Sequence, residues 1–243
     1  MDQKKKNIHL IIDNNTYTPK LLRAALDIAV AAKHTDYANI RIIMPPALLY
    51  EISGFKACDA GQLLSQALRK DTGVRNLRAL IEYGLQEQVL TIPNRSTAET
   101  EFFRRHGLLN GARHHTASLA GPASPKDFAD YAIVDWLRNH QPDANTHFII
   151  STQDSPLIAD LMDAIPGNKE GRNHLNYFEQ FDQKCTALWL EEESRQIQRF
   201  AIEHQPTIRP IAHNALVRLS DSVPPLADIK SSIPTLPDTW IRQ

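Results

Sequence analysis

The sequence predicts an α/β fold built on a parallel sheet, and two observations carry that expectation. Short apolar runs at residues 8–12, 40–46 and 147–152 stop abruptly at polar residues or prolines. That is the pattern of strands buried on both faces, because helices cover both sides of a parallel sheet. Between these runs lie longer stretches with apolar residues at helical spacing, and alternation of strand with helix is what parallel pairing requires.

The first strand is expected at residues 8–12. Residues 19–33 then place Leu22, Ala25, Leu26, Ala29 and Val30 on one helical face, with Pro19 suited to the first turn. "IRIIMPP" reads as a second strand closed by two prolines, and "ALLYEISG" as a helix ending near Gly54. Residues 56–119 read as mostly helical, with one short strand expected in "QVLTIP". "SLAGPASPKD" has the Gly, Pro and Ser content of a loop, ahead of a helix over residues 127–140. "HFIIST" is the third strand, and "QDSPL" opens a helix running through Met162. Beyond "IPGNKEG" a helix is expected over residues 175–204, with Phe178, Phe181, Cys185 and Leu188 on its packing face. The tail holds Pro206, Pro210, Pro224, Pro225, Pro234 and Pro237 and should run extended. The expected organisation is a domain over residues 7–165 and a helical C-terminal extension with a proline-containing tail over residues 166–243.

With 243 residues, 42% hydrophobic and 23% charged, the chain has the composition of a globular protein with a sizeable core. Its formal net charge of -1 gives no general attraction to nucleic acid, so any such affinity must come from a local patch. Cys58 and Cys185 are too few for a disulfide framework or a zinc site and read as reduced thiols. The first apolar run is too short for a signal peptide or a membrane span, which sets the expectation of a cytoplasmic protein without membrane contact.

Functional groups in an open parallel sheet collect beyond the carboxyl ends of the strands. Asp13 ends the first strand and Asp154 follows the third, while Glu51 and Asp130 lie on intervening helices. Four carboxylates on separate segments are thereby expected to meet. Like charges held close resist ionisation, and a divalent cation removes that cost. Hard oxygen ligands favour Mg²⁺ or Mn²⁺.

The motifs "IIDNNTY", "MPPALLYEI", "DYAIVDWL" and "STQD" occur in this order over residues 7–165, and together they resemble the PIN-domain nucleases. The resemblance implies a PIN-like three-layer fold with a central parallel sheet. It implies that Asp13, Glu51, Asp130 and Asp154 are catalytic and bind Mg²⁺ or Mn²⁺, with Asn15 and Thr152 shaping the substrate site. The implied activity is endoribonuclease cleavage of single-stranded or structured RNA. Asp127 and Asp135 compete with Asp130 for the third position, and the linker to Asp154 is longer than in compact members. The chain is also larger than the small toxin members of the family.

"FFRRHG" and "ARHHT" gather Arg104, Arg105, His106, Arg113, His114 and His115, and Arg104, Arg105 and Arg113 suit backbone contacts to single-stranded RNA. Adjacent His114 and His115 make a poor zinc pair. A homo-oligomer is compatible with the chain. Each acid also has a plainer role open to it: Asp13 as a helix cap or turn residue, Asp154 as an N-cap, Glu51 and Asp130 as exposed helical carboxylates. The rival reading is a catalytically inactive PIN-like module that binds RNA or protein. A phosphatase of the haloacid dehalogenase type also begins with a strand ending in Asp, but it needs a second Asp two residues on, where this chain has Asn15.

Overall fold

The computed structural model describes residues 5–105, 128–139, 146–164 and 178–204. Five strands and eight α-helices follow one another in the order β1 (Lys6–Ile12), α1 (Pro19–Lys33), β2 (Ala38–Ile43), α2 (Pro46–Ile52), α3 (Ala60–Leu64), α4 (Thr72–Gln86), β3 (Leu90–Thr91), α5 (Thr97–Arg105), α6 (Phe128–Asn139), β4 (Thr146–Ser151), α7 (Ser155–Ala164), β5 (Phe178–Phe181) and α8 (Gln183–His204), with a short 3₁₀ turn at Leu68–Lys70.

All pairings are parallel, and the sheet order is β3-β2-β1-β4-β5. The chain builds outward from β1 to β3, then crosses back to lay β4 along the other side of β1. Ile8, Leu10, Ile11 and Ile12 are all buried, as a strand covered on both faces must be. The helices form two groups: α1 packs with α4 and α8, and α6 packs with α2 and α7. Trp136 of α6 meets the rings of His9 on β1 and Phe148 on β4, which sets α6 over the two central strands.

Local signals explain most of the ends. Thr18 caps α1, its hydroxyl accepting the amide of Leu21 at 3.0 Å, with Pro19 in the first turn. Gly54, at φ +68°, closes α2 with its amide on the carbonyl of Glu51 at 2.9 Å. Gln88 holds the same left-handed conformation after α4, at φ 57°.

The late helix is where expectation and structure part. Residues 178–181 form the edge strand β5, not the first turn of a helix, and Phe181 stands in that strand. Cys185 is exposed, as is Leu188 at 53%. The buried face of α8 is instead Thr186, Leu190, Ser194, Ile197 and Ala201. Phe178 and Phe181, three residues apart, mimic helical spacing, yet a four-residue strand leaves too little length for an alternation to show. Sheet and core thus continue past residue 165, the expected end of the domain: β5 pairs with β4, and Leu190 and Ile197 join the main core.

The expected loop around "SLAGPASPKD" and the proline-containing tail lie outside the described residues. No helix among the described residues is long and apolar enough to cross a membrane.

Candidate functional site

The crossover places the carboxyl ends of β1 and β4 side by side, the position where open parallel sheets form their crevice. The Asp13 amide donates to the Ser151 carbonyl at 2.9 Å, extending the ladder by one bond and setting the carboxylate at the rim. Asp13 is only 3% exposed. Its Oδ1 accepts the amide of Asn14 at 2.7 Å and its Oδ2 accepts the hydroxyl of Thr152 at 2.8 Å. Burial pushes the Asp13 carboxyl up, outweighing the pull of those two donors, and the charge of Asp154 pushes it the same way.

Thr152 is the hub of this end of the sheet. Its Oγ1 donates to Asp13 and accepts both the Asn15 side-chain amide at 3.2 Å and the amide of Asp154 at 3.0 Å. Asn15 closes the circuit by accepting the Gln153 amide at 3.0 Å. Asn14 donates from its side chain to Glu51 on α2 at 3.0 Å, which ties that acid to the residue beside Asp13. Asp154 also accepts the amide of Leu157 at 3.4 Å, at the start of α7.

The structure therefore joins Asp13, Asn15, Thr152 and Asp154 in one hydrogen-bonded unit and brings Glu51 to its edge. Asp130 stands in the first turn of α6, partly buried. The expected meeting of four acids is not formed as such: among the described residues, no group of three or more His, Cys, Asp or Glu lies close enough to hold a metal ion. Glu51 is linked to Asp13 through Asn14, whose side chain donates to Glu51 and whose backbone amide donates to Asp13. Asp135 faces elsewhere, its charge acting on Glu99 of α5, while Asp127 lies outside the described residues. Arg104 and Arg105 both turn to Glu101, Arg104 through two hydrogen bonds at 2.7 and 2.8 Å, so their charge is partly spent within α5. Arg113, His106, His114 and His115 lie outside the described residues.

Several residues of the site went unnoticed in the sequence. Thr16, Ser151 and Thr186 form a buried chain of hydroxyls directly beneath Asp13 and Thr152. Single hydroxyls 135 and 35 residues apart leave no local pattern. Glu99 was also missed, although "STAE" at residues 96–99 spells a capping box. Its two oxygens accept the amides of Ser96 at 2.9 Å and of Ala47 at 3.0 Å, so a single buried carboxylate caps α5 and the start of α2 together.

Set against known proteins, the chain matches no protein-family model, no curated protein and no solved structure.

Proposed function

We propose that this chain is a PIN-like, metal-dependent endoribonuclease whose reaction centre is the Asp13 and Asp154 pair at the β1–β4 crevice. The observation that supports this reading is Asp13 itself. Helix α1 is capped by Thr18, so the carboxylate is not needed as a cap, yet it sits buried, and the charge of Asp154 adds a smaller push to its carboxyl in the same direction as burial. Burying an ionisable group beside a like charge destabilises the fold, and such arrangements concentrate where chemistry uses them.

The donor set suits Mg²⁺ or Mn²⁺. It consists of hard oxygens, and Mg²⁺ commonly takes one or two carboxylates and completes its shell with water and substrate phosphate. Asp13 and Asp154 would hold the ion, and Glu51 of α2, tied by Asn14 to the residue beside Asp13, is a further carboxylate at the edge of the site. When bound, the ion supplies positive charge to the phosphodiester and lowers the pKa of a water. Thr152 orients Asp13 by donating to Oδ2, and Asn15 fixes Thr152 in turn. Asp130 remains the fourth acid that the family resemblance implies. RNA as the substrate class also rests on that resemblance, with Arg104, Arg105 and Arg113 as backbone contacts.

The test is cleavage of labelled single-stranded RNA with Mn²⁺ or Mg²⁺. Cutting is expected to be abolished by chelator and to fall at least about a hundredfold in Asp13→Asn and in Asp154→Asn, as for removal of a group central to the reaction. Unchanged cutting in both variants would sink the proposal. The inactive binding-module reading draws on a different observation: Asp154 has a structural task at the start of α7, and Glu51 is engaged by Asn14. RNA binding that ignores chelator, in a protein that does not cut, would favour that reading.

A further inference from the structure

We propose that Gln180 and Thr186, contributed by β5 and α8, are positioning residues of the Asp13 site. The inference rests on the reading of that site as the reaction centre. It begins from how Thr152, which holds Asp13, is itself held. Its backbone amide donates to the Phe181 carbonyl at 2.8 Å, and its own carbonyl accepts the side-chain amide of Gln180 at 3.0 Å. The backbone N–H and C=O of Thr152, which belong to the peptide units on its two sides, are thus both held from β5.

Beneath it runs the chain of hydroxyls. Thr186 Oγ1 lies 2.7 Å from Ser151 Oγ, which lies 2.9 Å from Thr16 Oγ1, which lies 2.7 Å from the Ser151 carbonyl. Each hydroxyl has one proton. Thr16 donates to a carbonyl and so accepts from Ser151, while Thr186 Oγ1 lies 2.7 Å from both Ser151 Oγ and the Asp182 carbonyl, so Thr186 ties the start of α8 to the end of β4. All three residues are at most 1% exposed. Apolar side chains of the same shape would fill this space without burying polar groups, and a satisfied buried polar network instead specifies one geometry. Here the geometry specified is the mutual placement of the loops after β1 and β4, which carry Asp13 and Asp154.

The full-length protein would be compared with Thr186→Val, Thr186→Ser, Gln180→Leu and a control, Ile197→Val, which trims the core of α8 away from the hydroxyl chain. Mn²⁺ affinity is read by calorimetry, kcat and KM by RNA cleavage, and folding by thermal melts. Thr186→Val and Gln180→Leu are expected to lose about tenfold in Mn²⁺ affinity and in kcat, with KM for RNA unchanged, the usual size of loss when the support of a metal ligand is removed. Thr186→Ser should restore both, and Ile197→Val should move only the melt. Gln180 is exposed, so its variant is informative even where Thr186→Val fails to fold. Wild-type affinity and cutting in folded Gln180→Leu and Thr186→Val, or no rescue by serine, would overturn the inference while leaving the nuclease reading intact. Wild-type protein that neither binds Mn²⁺ nor cuts RNA would overturn both.

Discussion

Asp13 shows how one side chain can report on its surroundings. Because burial raises its carboxyl, the folded protein keeps this proton at a pH where the unfolded chain has released it. The stability it contributes is complete below the ordinary value of 3.8 and is lost as pH rises through the raised folded value. Asp13→Asn cannot undergo that loss. Denaturant unfolding at stepped pH should therefore show the variant gaining on the wild type as pH rises above about 4. A constant difference would mean that the carboxyl titrates normally. Gln88 carries a different strain, a side chain in the left-handed region at φ 57°. Gln88→Gly should stabilise by about 0.5–1 kcal/mol, the steric relief less the entropy of glycine, and a lowered unfolding midpoint would refute this. The two residues differ in how they show in the sequence. A carboxylate directly after "HLII" breaks an apolar run and is conspicuous, whereas a glutamine at a helix end is not, because its backbone angle follows from the six-to-one bond between Val89 and Gly84.

Between elements, contacts are made at a few points of close approach. A Cβ added to Gly84 in α4 would lie 2.6 Å from Leu26 Cδ2 of α1 and 2.7 Å from Leu90 Cβ of β3. Leu26 can swing aside, but Leu90 Cβ is tied to the strand backbone, so α4 itself must move. Gly84→Ala should cost about 1–2 kcal/mol net, overpacking outweighing the better helix propensity, and an unchanged midpoint in urea would show that α4 has room to shift. Elements with long periodic patterns were legible: α1 matches its expected bounds, β1, β4 and α6 fall within two residues of theirs, and β2 starts two residues before and ends three before the apolar run at 40–46. The short edge strand β5 was not, since four residues carry no period. Asp182, whose carboxylate accepts the Cys185 amide at 2.6 Å, was the local sign that the helix begins after it. The weld of α5 to α2 through Glu99 was half legible. The capping box can be read in the sequence, whereas its second partner, Ala47, lies 52 residues away.

At the scale of the molecule, the strand order decides where chemistry can happen. Four of the five strands were visible in the sequence, β3 as the short strand expected in "QVLTIP", and three of them set the candidate site, because β1 and β4 lie side by side and β2 flanks β1. What was hidden was their adjacency. That β1 lies next to β4 follows from the crossover and not from any local pattern, and the support of the site by β5 and α8 depends on it. Asp13 and Thr152 are 139 positions apart in the chain, and the hydroxyl chain is not closed until Thr186 is in place. During synthesis the amino-terminal strands leave the ribosome long before their partners exist. The rim that holds Asp13 can be completed only after the chain through Thr186 has emerged, so a chain cut or stalled before that residue lacks the finished arrangement.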